Sequence, residues 1–226
     1  MIAAATGIAA AALSVSPARV RLTTVASRTI TITNAGDAAT VVNVAPGSLV
    51  VDRRGRPAVA RDRSEAARWL RLRPRRLVLT AGGTAVVTVS AAAGTAARPG
   101  DHAALVLFTT QPPHRAAVGV RMRIGVVVFI RVAGRIVHRL EIEALRARGR
   151  VLEAAIANRG NVVEHTRVRI TLSRGVHVLA RLGSAGRTLL PHARAIARVR
   201  RSVGLRGWVT ARVEAGTLWR SFRIRL

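Results

Sequence analysis

A chain of 226 residues, half of them hydrophobic, is too apolar to be disordered throughout and long enough for one large core or two of about 100 residues each. Its formal net charge is +28, all 38 basic residues are arginine, and only 10 acidic residues stand against them. Cysteine is absent, which excludes disulfide staples, thiolate metal sites and a cysteine nucleophile.

Residues 1–13 are apolar, rich in small residues and uncharged, like the apolar region and Ala-x-Ala end of a secretory signal. A basic start is missing, so the segment reads either as a signal-peptide remnant or as an Ala-rich N-terminal tail. It is too short to span a bilayer. From Leu13 the pattern changes to period two: Val20 and Leu22 alternate with Arg19 and Arg21, and Ile30 and Ile32 alternate with threonines. Alternation in β-branched residues predicts half-buried strands. Val41–Val44 and Leu49–Val51 continue it, Asp52–Pro57 is a turn, and residues 58–68 are charged and Ala-rich with at most a helical turn at Ser64 and Glu65. Trp69–Pro74, Leu77–Leu79, Ala85–Val89 and Ala104–Phe108 read as further strands, the last closed by Pro112 and Pro113.

The strongest strand signal is Val118–Val132, ending in the continuous run Val126–Ile130. Such a run implies burial on both faces, or an edge that something else covers. Ala133–Gly134 is the best boundary. Beyond it, Ile136–Leu145, Val151–Ala157, Val168–Leu172, Val176–Leu182, Ile196–Val199, Trp208–Val213 and Trp219–Leu226 form a second set of strands.

Two phrases recur in the same order. Thr31-Ile-Thr-Asn-Ala-Gly-Asp37 returns as Ala155-Ile-Ala-Asn-Arg-Gly-Asn161, and Leu79–Val89 returns as Leu189–Val199. One domain plan used twice explains both echoes. The expected fold is all-β, with two tandem immunoglobulin-like β-sandwich domains at residues 14–132 and 133–226. A single large barrel is the alternative.

Enzymatic signatures are missing: no Gly-x-Ser-x-Gly elbow, no phosphate loop and no His-Glu-x-x-His pair. The six histidines have no ligand spacing, so no metal site and no cofactor is expected. Glu164 and His165, adjacent on a strand, point to opposite faces. Glu141 and Glu143 share a face, but among so many arginines they read as ion-pair partners. Five arginine pairs, Arg19/Arg21, Arg71/Arg73, Arg121/Arg123, Arg167/Arg169 and Arg223/Arg225, are spaced i, i+2 and lie on one strand face each. Each pair is either a plain solvent face or a contact for an extended anion. The absence of lysine reads as the mark of a GC-rich genome, yet a field of this size attracts polyanions whatever its origin. The six Phe and Trp residues do not cluster with the pairs in sequence, which argues against base stacking.

The order of residues in the first half resembles periplasmic pilus-assembly chaperones of the PapD-like type and the related WxL-interacting envelope proteins. The matching segments are Val15–Arg21, Thr31–Asn34, Leu72–Pro74 with Leu79–Val89, Leu105–Phe108 through Pro113, and Arg123–Arg131. The resemblance implies a partner-binding edge strand carrying Val120, Met122, Ile124, Val126, Val128 and Ile130. Beside that strand, the i, i+2 pairs Arg19/Arg21 and Arg121/Arg123 are the candidate anion or carboxylate contacts. In that family a first-strand Arg and a last-strand Lys hold the partner's terminal carboxylate; Arg21 matches the first, and Gly125 stands at the second. The function implied is non-enzymatic: an exported, extracytoplasmic protein that binds an envelope or cell-surface protein or an anionic wall polymer. Membrane contact would come through an upstream signal or anchor. The alternative is a cytosolic polyanion or nucleic-acid binder, which the scarcity of aromatics disfavours.

Overall fold

A computed structural model describes residues 13–52, 56–111, 121–201 and 204–226. Residues 1–12 of the predicted N-terminal signal or tail lie outside the described residues, as does Val120, while Leu13 opens the first strand. The first eleven elements are β1 (Leu13–Ser16), β2 (Arg19–Thr23), β3 (Ser27–Asn34), β4 (Thr40–Val51), β5 (Pro57–Ala60), α1 (Glu65–Trp69), β6 (Leu70–Arg73), β7 (Arg76–Leu79), β8 (Thr84–Ala91), β9 (Gly100–Gln111) and β10 (Arg123–Val132). Then follow β11 (Leu140–Arg148), β12 (Val151–Asn158), β13 (Glu164–Thr166), β14 (Val168–Arg174), β15 (His177–Gly183), β16 (Arg187–Leu189), β17 (Arg194–Arg200), β18 (Trp208–Ala215) and β19 (Leu218–Arg225). The fold is all-β, with two immunoglobulin-like sandwiches, as the alternation predicts.

The chain divides into two compact units: 1–49, 59–98 and 102–132 form the first, and 50–58, 99–101 and 133–226 the second. In the first, a sheet of order β1-β3-β8-β6 faces one of order β2-β10-β9-β4-β5, with β7 on β4. Ile30, Ile32, Val87 and Val89 from the one meet Val42, Val106, Phe108, Val126, Val128 and Ile130 from the other, all fully buried. The chain leaves the first sheet after β1 and joins the second as β2; the crossing comes at Ser16–Pro17, whose peptide bond is cis. In the second unit β11-β12-β17 faces β15-β14-β18-β19, around Leu152, Ile156, Ile170, Leu172 and Val213.

Three short strands, β5, β13 and β16, were not predicted. Runs of three or four residues show no usable period. Trp69 ends a helix instead of opening a strand: Ser64 caps α1, its Oγ accepting from Ala67 N–H at 3.3 Å.

The recurring phrases build the same corner twice. Asn34 ends β3, fully buried, and its Nδ2 donates to the carbonyls of Ala38 (2.8 Å), Leu79 (3.4 Å) and Thr80 (2.9 Å) while Oδ1 accepts from Gly36 N–H (3.1 Å). Asn158 ends β12, equally buried; it donates to Val162 (2.7 Å), Leu189 (3.2 Å) and Leu190 (3.1 Å) and accepts from Gly160 N–H (2.9 Å). Backbone bonds repeat as well, Asn34 N–H to Gly83 O and Asn158 N–H to Ala193 O, both 2.9 Å. The two echoes are thus one device: the asparagine of the first phrase pins the turn of the second.

Candidate edge-strand site

The strand β10 carries the expected site, and its two ends differ. The parallel ladder with β2 runs from Val127 beside Arg19 to Arg131 beside Thr23. N-terminal to Val127, β10 has β9 on one side, and no strand among the described residues pairs with it on the other. Met122 is bonded to β9: Thr110 N–H donates to Met122 O at 3.0 Å, and Met122 N–H to Thr110 Oγ1 at 2.9 Å. Val127 N–H donates the other way, to Ala18 O at 3.2 Å. Peptide groups alternate along a strand, so Arg123 and Gly125 direct N–H and C=O to the open side. An open row of this kind is a template for another strand.

Side chains divide by parity. Val126, Val128 and Ile130 point into the core and are fully buried, so these three do not face a partner directly. Met122 and Ile124 continue the same face past the packed core and are half-buried. The apolar run has burial on both faces, as its continuity implied: Phe129, on the opposite face, is only 4% exposed.

The outer face holds the arginines. Arg19 and Arg21 sit beside Val127 and Phe129, with the Arg19 guanidinium 5.8 Å from the Phe129 ring centre. Arg123 shares this face by parity, its Nε donating to Thr109 Oγ1 at 3.4 Å; Arg121 precedes the strand and is exposed. The register also shows that Gly125 is not the neighbour of Arg21, because it lies beyond the end of the β2 ladder. Gly125 instead leaves a gap between Arg123 and Arg19, about 13 Å apart along the strand direction. Below the gap Leu107 forms a floor, 3.5 Å from where a Cβ would stand. Leu105 and Leu107, buried on this face, were not singled out in the sequence, because an unbroken apolar run does not reveal which of its residues face the core.

The other candidate groups resolve into pairs. Glu164 bonds His138 (2.8 Å), while His165 bonds Thr188 (2.9 Å). Glu141 and Glu143 both meet Arg159, at 2.9 and 2.6 Å, and Glu143 also meets Arg194 at 3.0 Å. The Arg159 hydrogen bond holds the Glu141 carboxyl below the usual carboxylate range. Among the described residues, no helix is long and apolar enough to cross a membrane, and no three His, Cys, Asp or Glu side chains gather as metal ligands would.

The chain has the two-domain, immunoglobulin-like fold of PapD-like fimbrial chaperones. Among solved structures it is similar to the YadV chaperone, with a TM-score of 0.56 and 13% identity over 95% of this chain and 99% of that one. A chaperone–tip adhesin complex of CFA/I fimbriae biogenesis aligns with a TM-score of 0.57 and 10% identity, over 95% and 98% of the two chains. The SafB chaperone complex with the SafA pilin of Salmonella enterica gives 0.51 and 13%, over 96% and 97%. No protein family matches the sequence, and no curated protein matches it either. What is shared at such identities is the fold.

Proposed function

We propose that this chain is a non-enzymatic, extracytoplasmic protein of the bacterial envelope that holds a partner protein by accepting its strand along the open half of β10. The observation that carries the reading is the edge at Arg123 and Gly125, which no strand among the described residues pairs, beside the half-buried Met122 and Ile124. Main-chain bonds would supply affinity, and the alternate apolar side chains specificity. The gap over Leu107, between Arg123 and Arg19, suits a carboxylate or another anion on the partner. Structures of the same fold with a tip adhesin and with a pilin support a cell-surface protein as the class of partner.

The burial pattern chooses the test. Val128→Asp places a charge in the core and unfolds the first unit, so it reports nothing on binding. Ile124→Asp leaves the core intact. A photo-crosslinker at Met122, introduced in the native host, should capture a discrete envelope protein, and Ile124→Asp in the same chain should abolish the adduct with an unchanged circular dichroism spectrum. An undiminished adduct in the folded Ile124→Asp protein would sink the edge-strand reading.

A further inference from the structure

The aromatic residues, scattered in sequence, do meet arginines in space. Arg212 lies over Trp219 with Cζ 4.4 Å from the ring centre, and Arg223 over Trp208 at 5.1 Å. Both tryptophans are more than half exposed, on the outer face of the sheet β15-β14-β18-β19. Its inner face is the apolar one, with Val209, Ala211, Val213 and Ile224 in the core.

The register arranges the charges. Arg225 stands beside Trp208, Arg223 beside Thr210, Arg212 beside Ser221, and Arg169 beside Glu214. The four arginines therefore form a diagonal stripe across β19, β18 and β14, each Cα about 7–8 Å from the next. Of the four, only Arg212 has a carboxylate partner among the described residues, Glu214 at 3.0 Å. A guanidinium held over an indole is fixed in place and keeps donors for an anion, so the tryptophans act as supports for a raised cationic row. On the same face Thr210 is the register neighbour of Arg223, and Thr171 and Ser221 are those of Arg212.

We infer that this face binds an acidic polysaccharide, whose repeated carboxylates meet the arginines and whose hydroxyls meet the Ser/Thr side chains. Charge complementarity selects a linear polyanion over a neutral glycan. A nucleic-acid platform would need open rings for base stacking, and here guanidiniums cover them. Membrane insertion is disfavoured for the same reason, since a ring capped by a charge is not free to seat at the hydrocarbon boundary. This site is separate from the β10 edge and stands or falls without it.

Because a net charge of +28 attracts any polyanion, the control must change the same charge elsewhere. Binding to immobilised polygalacturonate at physiological ionic strength should drop about tenfold or more in Arg212→Glu/Arg223→Glu and less than about twofold in Arg71→Glu/Arg73→Glu. Circular dichroism establishes that each variant is folded. Should the first pair fail to fold, Arg223→Gln/Arg225→Gln must show the preferential loss in its place, measured against Arg71→Gln/Arg73→Gln, which removes the same charge. Equal losses at the two locations would overturn the proposal, reducing the face to a share of the general field. So would tighter binding of oligothymidylate, or of phosphatidylglycerol vesicles, than of polygalacturonate.

Discussion

The two asparagine corners share every bond of the pin and differ in what lies beside it. After Gly36 the first unit has Asp37, whereas after Gly160 the second has Asn161, whose Oδ1 accepts from Val137 N–H at 2.7 Å and whose Nδ2 donates to Pro99 O and Arg135 O. Gly160 itself packs so tightly on Val137 O that a Cβ would clash. The pin is thus the common plan, since a buried amide that satisfies three carbonyls and one N–H has no equivalent substitute. The neighbouring position is where the second unit has further ties. A plan can therefore persist in its hydrogen bonds while almost no other sequence is shared.

The largest effect should come from removing a pin. Asn158→Ala leaves three carbonyls and one N–H without their side-chain partner, mostly in buried surroundings, and should cost roughly 3–4 kcal/mol in denaturant unfolding. Asn34→Ala breaks the matching set where more of the bonds are only part-buried, so roughly 2–3 kcal/mol is expected. If either substitution left the unfolding midpoint unchanged, the corners would be decoration on sheets that close without them. Asn161→Ala tests the divergent element; two of its three bonds are exposed, and a loss of about 1 kcal/mol should appear. A cost as large as that of Asn158→Ala would move the origin of the corner's stability from the shared pin to the added tie.

Such corners were legible in sequence because the spacing Asn-x-Gly and the Leu79 and Leu189 phrases survive as strings. Inner faces were legible too: alternation puts Val20 with Leu22, and Ile30 with Ile32, on one side. Less could be read of the edge site. That β10 is an exceptional strand follows from its apolar run, but which half is open depends on where β2 begins to pair, a fact of register fixed at Ala18 and Arg19. A run buried on both faces carries no period to separate Val126 and Val128, in the core, from Phe129 opposite. The Trp–Arg stacks were out of reach for a similar reason: Trp208 meets Arg223 only through the β18–β19 hairpin, which brings together residues from its two ends.

The smallest effect lies at Glu141, the exposed carboxylate of β11 that the sequence reads as an ion-pair partner. Glu141, held below its ordinary pKa chiefly by the Arg159 hydrogen bond, binds fewer protons folded than unfolded in the acid range. Its contribution is therefore complete above the unfolded carboxylate pKa and is lost as pH falls through the lower, folded one. Exposure and salt screening keep it slight. Thermal unfolding followed from about pH 6 to about pH 3 should accordingly show a shallower acid loss in Arg159→Ala than in the parent chain. An identical slope in the two proteins would mean that the ion pair seen on β11 does not persist in solution.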